Sequence, residues 1–232
     1  MPEMDWTAPE KPAQYCERRL IDAILDGAFP VNSNLPAERD LAARLGVTRP
    51  TLREVLQRLA RDGWLEIHHG RLTRVRDYWR EGNLVVLAAI AQHSVQLPAD
   101  FATNMLAVRY LLAPAYTRLA VERDPRQVVA ALQPCLALDD DAIAFTETDW
   151  QLQLDLTQLS GNPVFTLIYN SFSNLYRTLG EVYFGVSENR ELSRSFYRDL
   201  LTCAQKGDAD SASALVAKIM QASRERWMQI KT

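Results

Sequence analysis

Apolar positions recur at helical spacing early in the chain. Cys16, Leu20, Ala23, Ile24 and Leu25 line one face and Gly27 follows as a stop, which predicts a first helix over residues 15–27. After a loop holding Pro30, Pro36 opens a short helix over 37–45, in which Leu41 and Leu45 stand four apart before Gly46. Thr48 is placed to cap the next helix, whose first turn tolerates Pro50 because its backbone donors have no helical partner there. Leu52, Val55, Leu56 and Leu59 then form an i, i+3, i+4, i+7 stripe ending at Gly63. Only Gly46 and Val47 separate these two helices, which is the spacing of a helix-turn-helix. Two short alternating segments, 64–67 and 72–75, flank His68-His69-Gly70-Arg71 and predict a β-hairpin, the wing.

Residues 76–83 are charged and without apolar period, so they read as a linker. Beyond them nearly everything is helical, with breaks expected at Pro98, Asp124-Pro125, Ser160-Gly161-Asn162-Pro163 and Lys206-Gly207-Asp208. The predicted helices are 84–93, 98–123, 125–137, 139–159, 163–185, 188–206 and 208–229. The fold class is therefore mainly α. A winged helix-turn-helix over 1–76 and a linker over 77–83 precede an all-helical bundle of six or seven helices over 84–232.

Composition changes this picture little. The chain has 232 residues, 47% of them hydrophobic and 24% charged, and no apolar run approaches the roughly 20 residues of a membrane span. Residues 1–14 lack the basic-then-apolar order of a signal peptide. Cys16, Cys135 and Cys203 are far apart and show no C-x-x-C spacing, which suits a reducing cytoplasm.

Charge placement is more informative than the net value of -3. Residues 39–76 hold nine Arg against four acids, whereas 81–232 hold thirteen Lys plus Arg against seventeen acids. With the apolar stripe of the third helix turned inward, Arg49, Pro50, Arg53 and Gln57 face outward at the end that enters a major groove. Arg49 and Arg53 offer planar donor forks for guanine edges or phosphates, and Thr48 and Thr51 offer short hydroxyls. Arg39 is placed for a flanking phosphate, and His69, Gly70 and Arg71 at the wing tip for the adjacent minor groove. Double-stranded DNA is thus the expected partner. Glu54 and Arg58, four apart, are spaced merely to pair on the surface.

These residues carry a resemblance. LPAERDLAARLGVTRPTLREVLQRLARDGWLEIHHGRLTRV, residues 35–75, resembles the winged helix of the GntR family of transcription regulators, and in detail its fatty-acid-responsive FadR subfamily. SGNPVFTLIYNSFSNLYRTLGEVYF (160–184), Phe196-Tyr197 and Trp227 extend the likeness through the second domain. The resemblance implies DNA contacts at Arg39, Thr48, Arg49, Thr51, Arg53, His69, Gly70 and Arg71, and a homodimer reading an inverted repeat. It also implies a long-chain fatty acyl-CoA effector, which enters the helical domain, shifts its helices and separates the DNA-binding heads. The matching pocket positions are Arg109, Tyr176, Tyr183, Tyr197, Ser223 and Trp227. Three positions depart from the subfamily: Pro50 stands where it has Thr, Arg71 where it has Lys, and Met220 where it has Gly, a change that narrows the expected cleft.

Spacing alone leaves the pocket open. Tyr176 and Tyr183 are seven apart and Ser223 and Trp227 four apart, so each pair shares a helix face, as ordinary aromatic core packing also would. An acyl chain needs an apolar cleft with a few fixed polar groups, and Arg109 with the tyrosines fits that requirement. A different metabolite, or a helical domain serving only dimerisation, remains the alternative. No cofactor and no metal are expected: of three His, His68 and His69 lie in the wing and His93 is left alone. An acyl-CoA-processing enzyme is the reading from another class. The chain has no G-x-S-x-G elbow, no G-x-G-x-x-G loop and no Cys-His pair, and Asp139-Asp140-Asp141 at a helix start reads as capping. No catalytic residues are assigned.

Overall fold

A computed structural model describes residues 10–68, 70–93 and 100–230. The chain divides into two compact units, residues 1–95 and 96–232.

The first unit opens with α1 (Pro12–Leu25), started by a proline in its first turn and burying Cys16, Leu20, Ile21 and Ile24. α2 (Glu38–Leu45) closes on Gly46 in the left-handed conformation, φ +67°, which a glycine adopts without strain. α3 (Arg49–Asp62) is capped by the Thr48 hydroxyl, which accepts from the Thr51 backbone N–H, and it buries the expected stripe of Leu52, Val55, Leu56 and Leu59. β1 (Leu65–Glu66) and β2 (Arg74–Val75) pair antiparallel, with Leu65 opposite Val75 and Glu66 opposite Arg74. The loop before α2 runs along the other side of β2: Leu35 N–H donates to Thr73 C=O at 2.8 Å and Val75 N–H to Ser33 C=O at 2.9 Å. The wing is thereby tied to the segment that leads into the helix-turn-helix along the β2 edge.

The linker expected at 77–83 is instead partly helical. α4 (Tyr78–Glu81) buries Tyr78, whose ring lies 5.1 Å from that of Trp64. An aromatic residue inside a charged stretch supplied the anchor that the missing apolar period concealed. α5 (Leu84–His93) packs on α1, and Val86 lies over Gly63. The compact N-terminal unit therefore includes a helix that the sequence grouped with the second domain, because Val86 and Ile90 find their core there.

The second unit contains α6 (Phe101–Arg123), α7 (Pro125–Leu136), α8 (Ala142–Leu159), α9 (Pro163–Asn170), α10 (Ser173–Phe184), α11 (Ser187–Lys206) and α12 (Ala209–Ile230). The longest helices, α6 and α12, pack along each other, and α8 touches α6, α7, α9 and α10. Surrounded in this way, α8 buries Phe145, Trp150, Leu152 and Leu156 on different faces. The helix expected over 163–185 is two helices. At its middle the Ser171 hydroxyl donates back to Leu167 C=O at 3.0 Å, and the Ser171 and Phe172 amides bond three residues back, to Ile168 and Tyr169. The break needs neither glycine nor proline: the backbone tightens there from four-back to three-back bonding. Residues 84–230 thus hold eight described helices rather than six or seven. Of the aspartate trio, Asp141 caps α8 by accepting from Ala144 N–H at 2.8 Å, while Asp140 turns away to Arg190.

Candidate functional site

In the first unit the helix-turn-helix presents Thr48, Arg49 and Arg53 at the exposed N-terminal end of α3, with Thr51 half-buried beside them. The Thr48 and Thr51 hydroxyls are 2.8 Å apart. Three arginines on this face have different partners. Arg39 Nε donates to its neighbour Asp40 at 3.1 Å, Arg53 Nε donates to Glu38 at 2.6 Å, and Arg49 makes no ion pair among the described residues. Exposed pairs of this kind are worth about 0–1 kcal/mol, so they bias the orientation of Arg39 and Arg53 but leave their terminal donors free for DNA, and Arg49 is the least restricted. At the wing tip, Gly70 has φ +73° with open space around it, a conformation that would strain any side chain. Arg71 is exposed beside it. His69, the remaining wing-tip residue expected to touch DNA, lies outside the described residues, as does the side chain of His93. The wing stem is braced by Glu66, which accepts from Arg74 at 2.6 Å and faces His68 at 3.2 Å. Arg74 holds the Glu66 carboxyl below its ordinary pKa.

In the second unit a cavity between α6, α8, α10, α11 and α12 brings together Arg109, Tyr176, Tyr183, Ser223 and Trp227, five of the six expected pocket residues. Met105, Phe184, Phe196 and Met220 complete most of its apolar wall. Tyr197 stands behind the wall: fully buried, it donates its hydroxyl to Asp149 Oδ1 at 2.9 Å. Tyr176 donates to the other oxygen, Oδ2, of the same carboxylate. Arg109 places Nη2 3.7 Å from Asp149 Oδ2 and its guanidinium 4.9 Å from the centre of the Tyr176 ring. Burial pushes the Tyr176 and Tyr197 phenols well above their ordinary pKa, so they act as neutral donors. Burial opposes the Arg109 charge, but the Asp149 carboxylate beside it favours the charged form, its pKa lies above the ordinary arginine value, and it stays cationic. The half-buried Tyr183 hydroxyl pairs with the Ser223 hydroxyl at 3.1 Å.

Three buried donors at this cavity have no hydrogen-bond partner among the described residues: Arg109 Nε, Arg109 Nη2 and Trp227 Nε1. An unsatisfied buried donor costs about 1–3 kcal/mol, more if charged, so an oxygen-bearing ligand would find pre-aimed partners here. The free volume is only about 70 Å³, well below the roughly 300–1,000 Å³ of small-molecule sites. Met220 and Met105 fill part of the space with flexible, adaptable chains.

Sequence reasoning missed Asp149, which holds the cluster together. The signal was present: Thr146, Asp149, Gln153 and Thr157 form a polar stripe along α8, and all four are buried. Gln153 accepts from Tyr116 at 2.6 Å on the same side. A polar stripe on a helix ordinarily marks its solvent face; here it lies against α6 and α10. Gly180 permits the closest approach, since a Cβ there would lie 2.6 Å from Thr146 Cγ2. Among the described residues no group of three or more His, Cys, Asp or Glu is placed to hold a metal, and no helix is long and apolar enough to cross a membrane.

A helix-turn-helix with a braced wing and an exposed arginine face, followed by a helical unit enclosing a cavity, defines a two-domain DNA-binding transcription regulator. Residues 12–75 match the model of bacterial regulatory proteins of the gntR family, and residues 76–232 match that of the FadR C-terminal domain. The chain belongs to the gntR family, in the branch that carries this C-terminal domain. It is 39% identical over 220 residues to the fatty acid metabolism regulator protein of Shewanella pealeana, covering 95% of this chain and 92% of the relative. Identity to the Klebsiella pneumoniae protein of the same name is 37% over 222 residues, covering 96% and 93%. The solved structure of Lar, which controls expression of the Listeria monocytogenes agr system, superposes with a TM-score of 0.64 at 16% identity, covering 96% of this chain and 99% of that one. At that identity the likeness is one of fold.

Proposed function

We propose that this chain, a DNA-binding regulator of fatty-acid metabolism, binds an inverted-repeat operator as a cytoplasmic homodimer and releases it when a long-chain fatty acyl-CoA enters the helical unit. The relatives' shared name supports the metabolic target. One observation carries the effector: an apolar cavity containing unpartnered Arg109 and Trp227 donors, suited to an alkyl chain that bears a carbonyl. Arg109, Tyr176, Tyr183, Ser223 and Trp227 line the site in this reading, and Tyr197 positions Asp149 behind them. Arg39, Thr48, Arg49, Thr51, Arg53, His69, Gly70 and Arg71 meet the DNA. No step of the reading is catalytic.

The small free volume gives the reading its mechanism. A long acyl chain does not fit without displacing the lining helices, so the effector must favour a conformation other than this closed one. A ligand that binds two states unequally shifts their populations, and if the displaced state presents the DNA-reading faces poorly, the operator is released. Fluorescence anisotropy of a labelled inverted repeat, at fixed salt, tests this. Operator binding weakened by micromolar long-chain acyl-CoA, with the acyl-CoA recovered intact, is the expected result. Binding indifferent to acyl-CoA would transfer the effector role to another metabolite, and hydrolysis of the thioester would point to an enzyme.

A further inference from the structure

Arg53 is exposed yet tethered. Its Nε donates to Glu38 Oε2 at 2.6 Å, while Nη1 and Nη2 have no partner among the described residues. Glu38 is the first residue of α2, fifteen positions earlier in the chain, so the contact bridges the two helices of the helix-turn-helix. Arg53 and Glu38 share a cleft with Arg71 of the wing.

A guanidinium has five N–H donors and can present either its Nε/Nη side edge or its terminal Nη1/Nη2 edge to a paired acceptor. Glu38 takes Nε, which leaves the terminal edge, a fork that fits the O6 and N7 of guanine. The carboxylate also acts against misplacement. A phosphate brought to the tethered side of Arg53 would meet the Glu38 charge, whereas an uncharged base edge at the free end would not. Arg49, which makes no ion pair among the described residues, has no such restriction.

We infer that Glu38 is a positioning residue for sequence readout: it holds Arg53 in one orientation before DNA arrives, so that Arg53 reads a guanine rather than binding phosphate without preference. The inference rests on the reading of Arg53 as a base contact. Its mark is a loss of selectivity instead of a loss of affinity.

The test measures binding of full-length wild type, Glu38→Ala, Glu38→Gln and Arg53→Ala to the operator, to operators substituted at each base pair of a half-site, and to unrelated duplex of equal length, all at one salt concentration. A good bidentate contact discriminates by about 1–3 kcal/mol, or about 5- to 150-fold. Arg53→Ala should erase the preference at one base pair. Glu38→Ala should reduce preference at that same pair by about fivefold while binding to unrelated duplex holds or rises, and Glu38→Gln, which keeps an oxygen acceptor for Nε, should restore part of it. A role in starting α2 would lower the melting temperature and leave base preference untouched. If Glu38→Ala strengthens binding to every sequence by one common factor, Glu38 is only a repelling charge and the inference falls, while the Arg53→Ala result still decides whether Arg53 is the reader. If Arg53→Ala keeps the preference, the assignment of Arg53 itself falls, and the inference with it.

Discussion

The two working regions of this molecule are built in opposite ways. The DNA-reading face consists of exposed arginines on short elements close in sequence, each placed by its own helix, cap or turn, with Arg53 also bridged to the neighbouring helix through Glu38. The cavity of the helical unit consists of buried groups drawn from five helices, from Arg109 on α6 to Trp227 on α12, and its polar members depend on one another through Asp149. Exposed groups in water interact weakly and almost independently; buried polar groups interact strongly and as a set. Substitutions on the face should therefore alter function and spare the fold, whereas substitutions in the cavity should alter both.

The sharpest test of that contrast is Asp149→Ala. It leaves the Arg109 cation without its nearest anion and the Tyr176 and Tyr197 hydroxyls without their acceptor. Breaking a buried pair costs about 3–5 kcal/mol, and urea denaturation followed by circular dichroism should show a loss near the lower end, given the 3.7 Å separation. A loss under about 1 kcal/mol would make the cluster no more than a surface-like pair. Next, Arg49→Ala should weaken operator binding by about 1–3 kcal/mol, measured by anisotropy, while its denaturation midpoint stays within about 0.5 kcal/mol of wild type. Trp227→Phe keeps the aromatic packing and removes only the unpartnered Nε1–H. It should weaken acyl-CoA binding by about 1 kcal/mol in calorimetry and leave operator affinity alone.

The smallest expected effect concerns acid stability. Arg190, with Arg194, holds the exposed Asp140 carboxyl at about 2, below its ordinary 3.8. A carboxyl whose folded pKa is depressed adds stability above its unfolded value and loses it as pH falls through the folded one. Asp140→Asn should therefore flatten the decline in stability between pH 3.8 and about 2, seen in acid titrations by circular dichroism. An unchanged acid profile would remove the bridge from the loop before α8 to α11 from the account.

What was legible in the sequence follows the same division. The caps and stops of the first unit, Thr48, Gly46 and Gly63, are local signals, and the structure places them where the spacing implied. The apolar stripe of α3 has one buried face, so its period shows. α8 is buried on several faces and has no clean period, and its polar stripe looks like a solvent face until α6 and α10 are packed against it. Tyr176 and Trp227 are named through the family resemblance, spacing alone leaving them open to ordinary core packing, and Asp149 is hidden in that stripe. The split between α9 and α10 falls where the Ser171 and Phe172 amides bond three residues back, and the short α4 has Tyr78 packed on Trp64; neither has a breaker or period to announce it. The Arg53–Glu38 bridge joins residues on different helices and was likewise invisible to spacing.

The central claim is that cavity and DNA-reading face share one conformational equilibrium. Calorimetric titration of a long-chain acyl-CoA into the protein, free and saturated with operator, tests it most directly, because coupling between two binding sites is reciprocal. The account predicts that operator weakens acyl-CoA binding by the same factor by which acyl-CoA weakens operator binding. Equal acyl-CoA affinity with and without operator would contradict it.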